Sequence, residues 1–136
     1  MAARNFGNEI HVAQPRLTEL FIKATGNGTS NMTATYGLGC SPTISRSSAG
    51  VYVITLTDKW AALMDWSYSI QDSGTATDSY TVKLTAETVA SNKTVTIQVL
   101  KETAAAHAVT ADLSSSQILT LRLVLLDSSA LPVKGA

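Results

Sequence analysis

The strongest regularity along this chain is an alternation of apolar and polar positions with period two. Val51-Tyr52-Val53-Ile54-Thr55-Leu56-Thr57 sets Tyr52, Ile54 and Leu56 on one side and Val53, Thr55 and Thr57 on the other. A strand points successive side chains to opposite faces, so the pattern predicts a half-buried β-strand. The same alternation recurs from Trp66 to Ile70, from Tyr80 to Glu87 and from Thr94 to Val99. From Ile118 to Leu126 the pattern changes. Leu119, Leu121, Leu123 and Leu125 share one face, while the other carries Ile118, Val124 and Leu126 beside Thr120 and Arg122. Two apolar faces predict a central strand or one covered by a neighbouring subunit, and Ile118, Val124 and Leu126 are the candidate subunit interface.

Weaker strand signals precede these. Leu17 to Ala24 groups Leu20, Ile22 and Ala24 opposite Glu19, Phe21 and Lys23, and Met32–Tyr36 and Thr43–Ser45 are shorter runs. The segments between them carry turn chemistry: Thr25-Gly26-Asn27-Gly28, Gly37 to Pro42, Gln71 to Asp78, and Ala90-Ser91-Asn92-Lys93. Asp58 to Met64 breaks the alternation, with a capping-type Asp before good helix formers. It predicts one helical turn bridging two strands, with Trp60, Leu63 or Met64 plugging one end of the core. Alternation assigns Tyr52, Trp66, Tyr68 and Tyr80 to the core and leaves Trp60 as the candidate exposed aromatic. Thr103 to His107 reads as a loop.

About seven or eight short strands with almost no helix predict an all-β, antiparallel β-sandwich or barrel. The paired cysteines and intervening Trp of immunoglobulin domains are absent, which tilts the expectation toward a jelly-roll-like order. The domain plan is an extended N-terminal arm over residues 1–16, a sandwich over 17–127 and a tail over 128–136. Phe6, Ile10 and Val12 stand among polar neighbours in the arm, like anchors for docking. With Arg4 they are its candidate contact residues.

Composition narrows the function classes. The 136 residues suit one domain, and an apolar fraction of 45% suits a sizeable core. Ten basic and ten acidic residues cancel, and the basic ones are scattered from Arg4 to Lys134. A nucleic-acid surface needs several on one face, so no nucleic-acid partner is expected. No stretch approaches the apolar length of a membrane span, and Met1 to Gly7 lacks the apolar core of a secretion signal, so no membrane partner is expected either. Cys40 is the only cysteine, which leaves no intrachain disulfide, and it reads as a small apolar residue by a Gly-rich turn.

Candidate chemistry is sparse. Asp58 and Asp65 could pair as catalytic carboxylates, but a helix cap explains Asp58 better. His11 and His107 lack metal-ligand neighbours at the right spacing. Asp72 and Asp78 flank a polar loop with too few carboxylates for calcium. No nucleophile elbow and no phosphate-binding Gly loop occurs. The expectation is therefore a non-enzyme with no catalytic residue, no metal and no cofactor.

One resemblance adds to this. Gly50-Val51-Tyr52-Val53-Ile54-Thr55-Leu56-Thr57-Asp58-Lys59-Trp60-Ala61-Ala62-Leu63, and the closing run Ile118 to Ser128, resemble small virion proteins of tailed bacteriophages. So does a composition about one quarter Ser and Thr. The resemblance covers roughly residues 50–126. It implies a β-sandwich decoration or cement protein that is dimeric or trimeric, made in the host cytoplasm, and bound to the major capsid protein on the capsid exterior. It also leaves open a tail-fibre or carbohydrate-binding module. Under the decoration reading, residues 1–16 are the natural clamp on the shell.

Overall fold

The computed structural model describes residues 17–37, 39–74, 78–105 and 107–127. They form nine strands: β1 (Leu17–Thr25), β2 (Met32–Gly37), β3 (Thr43–Ser48), β4 (Val51–Thr55), β5 (Ala62–Asp72), β6 (Ser79–Glu87), β7 (Thr94–Glu102), β8 (Val109–Thr110) and β9 (Gln117–Leu126). Among the described residues there is no helix. The chain is all-β and antiparallel throughout, as the alternation predicts.

The strand order is β5-β9-β1-β2-β3-β4-β7-β6, with the short β8 paired beside β4 on the same strand, β7. β1 to β4 form a meander. β3 is a corner: Thr43 and Ile44 pair with β2, whereas Ser45, Arg46 and Ser48 pair with β4 across a bulge. A strand that changes partners in this way carries one sheet into the next and bends the whole ribbon. The ribbon curls into a nearly closed, sandwich-like barrel whose end strands, β5 and β6, come to face each other.

The core is what the alternation predicts for the middle strands. Leu119, Leu121, Leu123 and Leu125 of β9 are at most 1% exposed, and Tyr52, Ile54, Val95, Ile97 and Val99 are fully buried opposite them. β9 is paired on both sides, to β1 and β5, so the central-strand reading holds for it. Val124 keeps 7% of its surface, and Ile118 and Leu126 are half-buried. These three residues therefore offer a partner little free area.

Both ends of the barrel are plugged. At one end Leu113 is fully buried beneath the β1–β2 turn, where Gly28 N–H donates to its carbonyl. Gly26 is required there, because a Cβ would sit 2.3 Å from the Ser114 carbonyl oxygen. At the other end the segment from Leu56 to Ala61 crosses the barrel mouth. The helical turn expected there does not form. The amides of Leu56, Thr57, Trp60 and Ala61 donate instead to Lys93, Gly39, Val89 and Leu126. A single helical turn is unstable alone, so four tertiary hydrogen bonds outweigh the local preference. Trp60 is half-buried against the core, its indole N–H enclosed and without a partner among the described residues; of its two expected roles it takes the plug and not the exposed aromatic. Of the other two candidate plugs, Leu63 also packs on the core, whereas Met64 sits at a bulge in β5 and is 55% exposed.

Candidate functional site: an open seam and an outer shelf

Among the described residues the strand order runs unbroken from β5 round to β6, and the two end strands, though consecutive in sequence, are not laddered to each other. β5 spends one edge on β9 and β6 spends one edge on β7, and among the described residues neither has a ladder on its other edge. A groove of about 430 Å³ lies there, lined by Trp66, Ser67, Tyr68, Thr81 and Val82. Trp66 and Tyr68 stack with ring centroids 5.9 Å apart and planes 22° from parallel.

Burial along the seam departs from the rest of the core. Trp66, Ile70, Tyr80 and Leu84 pack on the core yet stay half-buried, and Tyr68 is 37% exposed. Only Val82 is well covered, at 3%. Trp66 and Tyr80 pack on the core as the alternation predicts, but Tyr68, assigned to the core with them, is exposed, and no sequence signal marks this stretch as under-covered.

A second feature lies on the outer face of β5, β9 and β1. Register places Ser67, Arg122 and Phe21 in one cross-strand row, and Ser69, Thr120 and Lys23 in the next. Phe21 is 46% exposed and borders a shallow depression of about 170 Å³ with Ser67, Ser69, Thr120 and Arg122. Arg122 donates to both Glu19 carboxylate oxygens, at 3.0 and 3.2 Å, and lies 3.8 Å from Asp65. The guanidinium holds the Glu19 carboxyl below its usual range. The shelf therefore presents a ring and hydroxyls beside a charge that is already compensated.

The remaining candidates are engaged elsewhere. Asp72 accepts from Gly74 N–H at 2.8 Å and from Gln117 Nε2 at 3.1 Å. Those donors, Gln117 first, lower its carboxyl. Asp78 pairs with Lys101 at 2.8 Å. Both carboxylates that flank this loop thus have protein donors, and the described residues hold no cluster of metal-ligating side chains. His107 pairs with Glu102 at 2.6 Å on the surface. Cys40 is buried, and burial pushes its thiol up, away from the reactive thiolate. Arg4, Phe6, Ile10, His11 and Val12 lie outside the described residues.

Sequence reasoning missed the most connected polar cluster. Asp112 accepts from Arg46 at 2.8 and 2.9 Å, from Gly50 N–H at 2.8 Å and from the Tyr52 hydroxyl at 3.3 Å. The Tyr52 hydroxyl accepts in turn from the buried Leu113 N–H at 3.1 Å. This network ties β3, β4 and the segment before β9 together at the Leu113 end. It is a structural clamp with every member partnered, and only the wide separation of its residues in sequence hid it.

Compared with known protein families, curated proteins and solved structures, the chain matches none.

Proposed function

We propose that this protein is a non-enzymatic structural component of a bacteriophage virion. In this reading it binds the outer surface of the capsid as a homo-oligomer and stabilises the shell. The resemblance of residues 50–126 to small virion proteins supports the reading. The observation that carries it is where the chain leaves the body. Leu17 pairs with Leu126, so residues 1–16 and 128–136 are both tethered at one end of the same sheet. Two segments leaving one point give a rigid body a single attachment side, and anchors on both multiply its hold on a symmetric lattice. Arg4, Phe6, Ile10 and Val12 are the proposed shell contacts.

The test is co-sedimentation of the purified protein with capsids of its virus that lack it. Saturable binding is expected, and it should be lost in a folded variant carrying Phe6→Asp, Ile10→Asp and Val12→Asp. No binding by the wild-type chain, or unchanged binding by the variant, overturns the reading.

The alternative, a receptor- or carbohydrate-binding module, is favoured by one observation: the exposed Phe21 ring framed by Ser67, Ser69 and Thr120. Rings stack on sugar faces and hydroxyls exchange hydrogen bonds with them. Glycan binding that Phe21→Ala abolishes would move the protein to that class.

A further inference from the structure

We propose that Asn27 is a site of spontaneous modification: it deamidates through attack by the Gly28 amide nitrogen, and the fold holds the reaction back until the Leu113 end of the barrel opens. The inference concerns the chain itself and does not rest on the virion reading.

Of the five asparagines in the sequence, only Asn27 precedes a glycine. Deamidation needs the amide nitrogen of the following residue to reach the Asn side-chain carbonyl carbon. A side chain on that residue crowds the approach, and glycine has none. Asn27 is exposed at the start of the turn from β1 to β2, where its carbonyl accepts from Ser30 N–H at 3.2 Å. Gly28 follows with φ of 59°, and a Cβ there would meet nothing within 4 Å. Water and the attacking nitrogen therefore meet no steric barrier at Asn27.

The Gly28 nitrogen bonds to Asn27 Cγ, and the bond from Cγ to Nδ2 breaks. The proton from the Gly28 nitrogen ends on the departing Nδ2, which leaves as ammonia. The product is a cyclic imide. Water then opens one of its two carbonyls. One opening leaves an ordinary aspartate, and the other leaves isoaspartate, in which the main chain runs through the former side-chain carbon. Nothing is oxidised or reduced, and water is the only co-reactant.

In the fold both reacting groups are held. Gly28 N–H donates to the Leu113 carbonyl at 2.9 Å, and Asn27 Nδ2 donates to the Asn31 carbonyl at 3.2 Å. On the other side of Asn27, Gly26 N–H donates to the Gln117 carbonyl at 2.9 Å. Asn27 thus stands between two anchors on the segment that enters β9. The Gly28 nitrogen cannot turn on Asn27 without leaving the carbonyl of Leu113, a fully buried residue, and an orphaned buried acceptor is costly. Attack therefore follows local opening and not the closed barrel. The product keeps the record. The imide nitrogen carries no hydrogen for Leu113, and isoaspartate adds one main-chain carbon between the Gly26 and Gly28 anchors, so the two cannot both keep their geometry. Each event marks a chain that has opened and weakens the plug that had held it shut.

Peptide mapping by mass spectrometry, after incubation of the full chain at neutral pH, tests this. In urea sufficient to unfold the chain, Asn27 should be converted to aspartate and isoaspartate, and Gly28→Ala should slow that conversion at least ~10-fold by crowding the attacking nitrogen. In buffer, conversion in the wild-type chain should be at least ~10-fold slower than in urea, with the Gly28 amide protected from hydrogen exchange. Tyr52→Phe, which deprives Leu113 N–H of its acceptor, should speed conversion in buffer and Gly28 exchange by the same factor, and leave the rate in urea unchanged. Equal rates in buffer and urea overturn the proposal, as does an Asn27 that stays intact in urea. A Tyr52→Phe chain whose Gly28 amide exchanges faster while Asn27 reacts no faster also overturns it. If that variant does not fold, the wild-type comparison and the Gly28 protection still decide. Capsid binding plays no part in these readouts, so failure here is distinct from failure of the virion reading.

Discussion

Removing a single oxygen from the core should measurably weaken the barrel. Tyr52→Phe keeps the ring, which is fully buried, and deletes only the hydroxyl. That hydroxyl is the acceptor for Leu113 N–H at 3.1 Å, and Leu113 is itself fully buried. Without it the Leu113 amide has no partner, and an orphaned buried donor costs about 1–3 kcal/mol. The bond to Asp112 is also lost, but it is long, at 3.3 Å, and Asp112 retains Arg46 and Gly50. The sum is about 2 kcal/mol. With a urea slope of about 1.5 kcal/mol per molar, the unfolding midpoint should fall by about 1 M at unchanged slope. Intrinsic fluorescence follows this directly, because Trp60 and Trp66 both pack on the core. A midpoint shift under about 0.3 M at the same slope would refute the claim that this hydroxyl satisfies a buried donor.

Other consequences are equally direct. Gly50 has φ of 70°, and a Cβ there would sit 2.8 Å from Ala111 N and the Val99 carbonyl oxygen, so Gly50→Ala should cost about 2 kcal/mol or more by the same assay. Leu121→Ala empties a site 1% exposed and should cost about 2–5 kcal/mol. Arg46, then the Gly50 amide and the Tyr52 hydroxyl, depress the Asp112 carboxyl below its ordinary value of 3.8. Its stabilisation is therefore complete above that pH and lost as pH falls through the lower folded value, and Asp112→Asn should flatten part of the acid limb of an unfolding-midpoint profile. Cys40 is 8% exposed with its thiol pushed up by burial, so a thiol reagent should label it only as fast as the chain opens.

Much of the fold was legible in the alternation, because one buried face forces period two wherever a strand lies on the core. The four leucines of β9 and the Tyr52-Ile54 pair of β4 are the clearest cases. What stayed hidden depended on contacts distant in sequence. The segment from Asp58 to Met64 reads as a helical turn because its capping residue and helix formers are local, while the carbonyls that bind the amides of Thr57, Trp60 and Ala61 belong to Gly39, Val89 and Leu126. Of the two readings of Trp60, a plug and an exposed aromatic, the plug holds because its amide is bound to the Val89 carbonyl. The two-residue β8 is too short to leave a pattern. For the candidate site, the inward side chains of β5 and β6 were readable, but the lack of a ladder between these strands among the described residues was not. A strand's sequence states which side faces the core and is silent on whether its hydrogen-bonding edge has a neighbour. The apolar residues on the outer face of β9 pointed equally to a subunit interface and to a central strand, and Val124 is covered within this chain.

The virion assignment is tested most directly by the copy number of this protein in purified particles of its virus, measured by quantitative mass spectrometry against the major shell protein. The account predicts a fixed ratio of the same order as the shell protein itself, as decoration of every equivalent lattice site requires. A handful of copies per particle would relocate the protein to the tail or a fibre, and complete absence from particles would contradict the account outright.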